Sequence, residues 1–131
     1  MTHLLDSSAW LIHLFGEPGV EEVNQLFDEP QVSVHISALS IPEVYARLIS
    51  LGRETEWPRV WQVYSALFDK VIPADEAVAQ AAIRYRAAAA TRLPTIDGLI
   101  AATAGVHRLT LVHRDPHMAA IPSDLLGQIQ L

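Results

Sequence analysis

His3-Leu4-Leu5-Asp6-Ser7-Ser8-Ala9-Trp10-Leu11-Ile12-His13-Leu14-Phe15 changes character at its middle. The run His3-Leu4-Leu5 stops abruptly at Asp6-Ser7-Ser8, and the apolar segment from Ala9 to Phe15 continues for a helical turn or two. The expected local structure is a strand passing directly into a helix, with an aspartate at the junction. The same grammar recurs downstream. Gln31-Val32-Ser33-Val34-His35-Ile36 alternates and is rich in β-branched residues, as a strand should be, and the next helix starts near Ser40-Ile41-Pro42-Glu43 and runs through Val44, Leu48 and Leu51 to Gly52. Val71-Ile72 is a brief strand closed by Pro73, after which Asp75 caps an alanine-rich helix through Ala79, Ala82, Tyr85 and Ala89. Leu109-Thr110-Leu111-Val112 is a fourth strand that delivers His113-Arg114-Asp115, and Gln128-Ile129-Gln130 a last edge strand.

Two more helices fill the gaps. Val20, Val23, Leu26 and Phe27 recur at helical spacing, and Trp57, Val60, Trp61, Tyr64 and Phe68 give a broad aromatic face, which is either core or a groove for a partner. Strands separated by helical segments imply crossovers and a parallel sheet covered on both faces. The expected architecture is a three-layer α/β/α domain with a central, mainly parallel sheet. A chain of 131 residues is expected to form one such domain over residues 1–131.

Composition narrows the chemistry. Half the residues are hydrophobic, yet no apolar run approaches the roughly 18 residues of a membrane span, so no membrane association is expected. Met1-Thr2-His3-Leu4-Leu5-Asp6 lacks the basic and long apolar regions of a secretory signal, and the expected location is cytoplasmic. With no cysteine, carboxylates and imidazoles are the only strong metal ligands, which favours oxygen-loving ions. A net charge of −6 argues against holding nucleic acid by a basic patch, but acids that bind divalent cations reverse their own local charge. An acidic protein can therefore still act on phosphodiesters through metal.

Four acids stand out. In open parallel sheets the working site lies beyond the carboxyl ends of the strands, where Asp6 and Asp115 are delivered by the first and fourth strands. Glu43 begins the helix after the second strand. Asp97 lies in Leu93-Pro94-Thr95-Ile96-Asp97-Gly98-Leu99-Ile100-Ala101-Ala102-Thr103-Ala104-Gly105, expected to be a helix capped by Thr95 and ended by Gly105, whose positive end favours the ionised carboxylate. Each acid has a plain alternative: Asp6 caps the following helix, Glu43 completes a capping box with Ser40, Asp97 complements the helix dipole and Asp115 starts a turn before Pro116. Together they would repel one another without a cation. Mg²⁺ or Mn²⁺, which keeps several waters, suits such a set, and phosphodiester hydrolysis by a metal-activated water is the expected chemistry.

The ordered set resembles the PIN-domain ribonucleases, in particular the VapC-type toxins of bacterial toxin–antitoxin modules, over nearly the whole chain. Leu4-Leu5-Asp6-Ser7-Ser8-Ala9-Trp10-Leu11 looks like the family's opening strand and first acid, and Ile36-Ser37-Ala38 through Glu43-Val44 resembles the second acid motif. Thr95-Ile96-Asp97-Gly98-Leu99-Ile100-Ala101-Ala102 resembles the third and Leu111-Val112-His113-Arg114-Asp115 the fourth. The resemblance implies Mg²⁺-dependent cleavage of RNA, with Asp6 and Asp97 as metal ligands and Glu43 and Asp115 completing the cluster. It also implies a homodimer inhibited by a cognate antitoxin.

Two positions depart from that pattern. His113 stands where a threonine or serine often precedes the fourth acid by two residues, and His117 stands where many relatives carry a further acid, which counts against a second metal site. Ser7 and Ser8 either orient Asp6 or a metal-bound water or cap the first helix, and His113 and His117 either contact metal or substrate or are loop polarity. Two rival readings carry other functions: a PIN fold kept for binding without catalysis, and a Mg²⁺-dependent phosphoacceptor signalling domain. The second needs a lysine near the end of the last core strand, and the sole lysine, Lys70, precedes a different one.

Overall fold

The computed structural model describes residues 1–131. Its elements, in chain order, are β1 (His3–Leu5), α1 (Ser7–Phe15), α2 (Val20–Asp28), β2 (Val34–Ser37), α3 (Ser40–Ser50), α4 (Trp57–Leu67) and β3 (Lys70–Ile72). They continue with α5 (Glu76–Ala88), α6 (Thr95–Val106), β4 (Thr110–His113), α7 (Pro116–Ala119) and β5 (Gln128–Gln130). The five strands form one sheet in the order β3-β2-β1-β4-β5, and every pairing is parallel. The expected three-layer α/β/α architecture is what the chain adopts. No helix is long and apolar enough to cross a membrane.

Side chains alternate across a strand, so the two leucines of β1 serve opposite layers. Leu4 packs with Leu111 against Tyr85 of α5 and Ile100, Ala101 and Ala104 of α6. Leu5 packs with Ile36 and Val112 against Ala9, Val23, Val44, Leu48 and Val60 of the four helices α1 to α4. The three central strands β1, β2 and β4 are buried on both faces: all four residues of β2 are inaccessible, which overrode the alternation visible in its sequence.

Trp10 is fully buried and decides the fate of the aromatic face. Its ring lies 5.2 Å from Phe68, 5.4 Å from Tyr64, 6.2 Å from Trp57 and 6.4 Å from Trp61, centroid to centroid. The face of α4 is thus mostly core, with Trp57 and Trp61 half-buried at its rim.

Three expectations about helix ends are corrected. Pro94, extended at ψ 154°, is the N-cap of α6 and its carbonyl accepts from Gly98 N, which leaves Thr95 as the first helical residue and Asp97 as the third. Leu39, not Ser40, caps α3. Gly105 does not end α6: the left-handed residue is Arg108, at φ 56°, and Leu109 N reaches back to Ala104 O at 2.8 Å.

Gly105 is there for packing. A Cβ at this position would fall on the hydroxyl of Tyr85, whose side chain is 1 % exposed between α5 and α6. Gly105→Ala gains about 1 kcal/mol of helix propensity, and loses more than that to overpacking, for a net destabilisation of about 1–3 kcal/mol. Because the closest contact is the hydroxyl oxygen, Tyr85→Phe in the Gly105→Ala background should recover part of the loss. Thermal melts of the single and double variants check this, and a Gly105→Ala protein as stable as the wild type would refute it.

Candidate functional site

The register of the sheet builds the site. Leu5 stands beside Ile36 on one side and Val112 on the other, so β1, β2 and β4 end together and Asp6, the next residue, emerges at the centre of their carboxyl edge. Asp6 N donates to Val112 O at 3.0 Å, carrying the pairing one residue beyond the strand. The side chain caps α1: Oδ1 accepts from Ala9 N at 2.8 Å and from Ser8 Oγ at 2.6 Å. The plain reading of Asp6 as a cap is therefore correct for Oδ1. Oδ2 takes no hydrogen bond.

Ser8 does a second job, because its Oγ also accepts from Arg114 N at 2.9 Å and so ties the first acid to the segment leading to the fourth. Ser7 faces the other way. Its Oγ lies 2.5 Å from Glu43 Oε1 and 3.1 Å from Ser40 Oγ. The capping box expected between Ser40 and Glu43 does not form, because the Glu43 carboxylate is held by a hydroxyl from α1 instead. Glu43 is thereby anchored next to the site, close enough for its charge to act on Asp97.

Asp115 caps α7, with Oδ1 accepting from His117 N at 2.9 Å. The same oxygen lies 3.0 Å from His117 Nδ1, and Asp97 Oδ2 lies 3.7 Å from that nitrogen. Asp97, Asp115 and His117 form the one set of three whose ligand atoms fall within 4.8 Å of one another, close enough to share an ion. The four expected acids thus gather at one edge, but the tightest triad contains His117 in place of Asp6 or Glu43.

His113 plays a different part from the one considered for it. It is fully buried, and its Nδ1 accepts from Asp115 N at 3.1 Å while Nε2 meets Gln128 Oε1 at 2.8 Å. Since Nδ1 accepts, the proton sits on Nε2 and is donated to Gln128, whose amide is fixed in turn by donating to Ile121 O at 3.0 Å. Burial holds the ring's pKa below the usual imidazole value. His113 props the backbone of the fourth acid from beneath, out of reach of solvent.

The electrostatics are those of a site that wants positive charge. Burial pushes the Asp6 carboxyl up to about 7; the hydrogen bonds from Ser8 and Ala9 oppose the rise, and the charges of Asp115 and Asp97 add to it. Asp97 is pushed up to about 6, first by burial and then by Asp115 and Glu43, with His117 opposing. The positive end of α6 does not keep Asp97 at an ordinary carboxylate pKa, because desolvation and two neighbouring acids outweigh it. A divalent ion would remove this penalty, and the donor set of carboxylates and one imidazole can hold one.

Comparisons with known proteins agree with this geometry. Residues 3–123 match the family described as PIN domain. The fold resembles FitAcB from Neisseria gonorrhoeae at 26 % identity and a TM-score of 0.78, covering 98 % of this chain and 96 % of that one. A toxin–antitoxin complex from Klebsiella pneumoniae matches at 25 % identity and a TM-score of 0.70, over the same 98 % and 96 %. VapBC2 from Rickettsia felis, solved with a fragment of promoter DNA, shares the fold at 14 % identity and a TM-score of 0.80, over 100 % of this chain and 99 % of that one. No curated protein matches the sequence significantly.

Proposed function

Because this chain belongs to the PIN domain family, we propose that it is a metal-dependent endoribonuclease, the toxin of a toxin–antitoxin pair. The observation that carries the proposal is the convergence of Asp97, Asp115 and His117 within 4.8 Å beside the free oxygen of buried Asp6. Asp6, Asp97 and Asp115 would hold Mg²⁺ or Mn²⁺, with Glu43 completing the acidic set. When bound, the ion supplies Lewis acidity: it lowers the pKa of water and neutralises charge on the phosphodiester. Ser8 fixes Asp6 through Oδ1, and His113 fixes Asp115 through its backbone N–H. Ser7 fixes Glu43. Such positioning holds the acids in place before RNA arrives, so that little rearrangement is needed at the moment of reaction.

The proposal of a cognate antitoxin that inhibits the enzyme rests on the likeness to the Klebsiella toxin–antitoxin complex, and that of a homodimer as the working unit rests on the sequence resemblance alone. The acidic sequence fits an enzyme that meets RNA through metal rather than through a basic surface. The presence of all four acids, with Asp97 and Asp115 at one edge beside His117, speaks against binding without catalysis.

The experiment is cleavage of a mixed-sequence single-stranded RNA with Mg²⁺, with Mn²⁺ and with a chelator, using the wild type and Glu43→Gln. Cleavage with metal and none with chelator is expected. Glutamine keeps an oxygen for the Ser7 hydroxyl and removes only the charge, so Glu43→Gln should melt within about 1 kcal/mol of wild type and cleave roughly tenfold or more slowly. Full activity in this variant would remove Glu43 from the site, and cleavage unaffected by chelator would remove metal from the mechanism.

A further inference from the structure

We propose that His117 is a nitrogen ligand of the metal centre and shifts its preference away from Mg²⁺ toward first-row transition-metal dications. The inference rests on the metal-site reading above and deepens it by naming the class of ion. Ligands in cis positions on an octahedral ion with bonds of about 2.1 Å stand about 3.0 Å apart. His117 Nδ1 lies 3.0 Å from Asp115 Oδ1 and 3.7 Å from Asp97 Oδ2, spacings that one ion can span with small adjustments.

The placement of the ring is built into the backbone. Asp115 caps α7, Pro116 fixes the first helical φ, and the amide of His117 is pinned to the carboxylate of Asp115. The imidazole and the carboxylate therefore project from one short turn toward Asp97. A ring half exposed to solvent has no packing reason to lie there. When Nδ1 ligates, the ring proton resides on Nε2 and the contact with Asp115 Oδ1 is replaced by shared coordination.

The chemical consequence follows from the donor set. Mg²⁺ is a hard ion that prefers carboxylates and water, whereas imidazole gains affinity along the series from Mn²⁺ toward later first-row ions. Any such site ranks Co²⁺ above Mn²⁺ above Mg²⁺ to some degree, so the ranking in the wild type is not diagnostic. The diagnostic quantity is how much of the ranking disappears with the imidazole.

The test titrates the metal-stripped protein with MgCl₂, MnCl₂ and CoCl₂ by calorimetry near pH 8. His117→Ala should lose roughly tenfold or more in Co²⁺ affinity, less for Mn²⁺, and under about threefold for Mg²⁺. His117→Asp should bind Mg²⁺ at least as tightly as the wild type without recovering Co²⁺ affinity. In the Co²⁺-loaded wild type, hyperfine-shifted imidazole proton resonances should be present, and His117→Ala should lack them. Equal losses for all three ions, or none, together with unchanged resonances, would overturn the assignment of His117. Asp97→Asn serves as the control for the underlying reading: if it weakens every ion while His117→Ala changes no ranking, only His117 is removed from the centre. If Asp97→Asn weakens none, the metal site itself is misplaced and both proposals fall.

Discussion

Asp97→Asn should fold as the wild type does and cleave RNA about 10²–10³-fold more slowly, the loss expected when several kcal/mol of metal-mediated charge stabilisation is removed. The amide reproduces the shape of the carboxylate, and Asp97 is not the cap of α6, so no helix-terminal hydrogen bond depends on it. What disappears is a charge that Asp115 and Glu43 already repel in the metal-free protein. The variant should therefore melt without metal at the same temperature as wild type or slightly higher, while its affinity for Mn²⁺ collapses. Melting with chelator and cleavage with metal, measured on the same preparation, check both halves. Wild-type cleavage by Asp97→Asn would end the proposal for this residue, and a large drop in melting temperature would mean that its role is structural.

Metal-free protein should also show a stability that depends on pH through Asp6. A carboxyl at about 7 in the fold against 3.8 when unfolded binds its proton more tightly in the native state. Its contribution to stability is fully present below pH 3.8 and is lost as pH rises through 7, on the order of 4 kcal/mol across that window. Asp97 acts in the same direction between 3.8 and about 6. Four histidines oppose the trend: His3, His13, His35 and His113 have pKa values lowered by burial, so their contribution is present above pH 6.5 and is lost as pH falls through their lowered values. The difference between wild type and Asp6→Asn isolates the aspartate, because asparagine still caps Ala9 N but carries no charge. Asp6→Asn should be the more stable protein at pH 8 by a few kcal/mol, with the gap closing toward pH 4. Adding Mn²⁺ at pH 8 should stabilise wild type and leave the variant nearly unmoved. Calorimetric scans across this range decide it, and a wild type that outlasts Asp6→Asn at pH 8 without metal would refute the cause assigned to the shift.

The strand ends were legible because each acid there follows a short apolar run within a few residues, and a parallel sheet aligns such ends. Asp6 and Asp115 are of this kind. Asp97 was legible from its place in the first turn of an apolar helix, although the sequence misjudged which force dominates its ionisation. Ser40-Ile41-Pro42-Glu43 has the spacing of a capping box, yet the Ser40 and Glu43 side chains turn to Ser7 on α1, a contact between residues more than 30 positions apart that no local pattern encodes. For His117 the sequence left two readings open, contact with metal or substrate and loop polarity, because its ring comes near Asp97 only after the turn through Asp115-Pro116 docks on α6. A faint signal was present, since an aspartate followed by proline commonly caps a helix and would fix the next residue's direction. The replacement of a small hydroxyl residue by His113 became intelligible only with Gln128 alongside, an element the sequence offered merely as an edge strand.

The acids are supplied from both sides of the sheet. Asp6 is fixed by α1 in one layer, Asp97 rides on α6 in the other, and β1, which joins them, gains its partner β4 only across more than 100 residues of chain. A nascent chain carries its first two acids long before the last two exist. The four acids are together only once nearly the whole sequence has been made and both layers have closed on β1, a pairing whose long loop closure places it late in folding. On the proposed ribonuclease reading, that order would act as a safeguard written into topology, because a fragment ending before α6 would lack two of the four acids of the site.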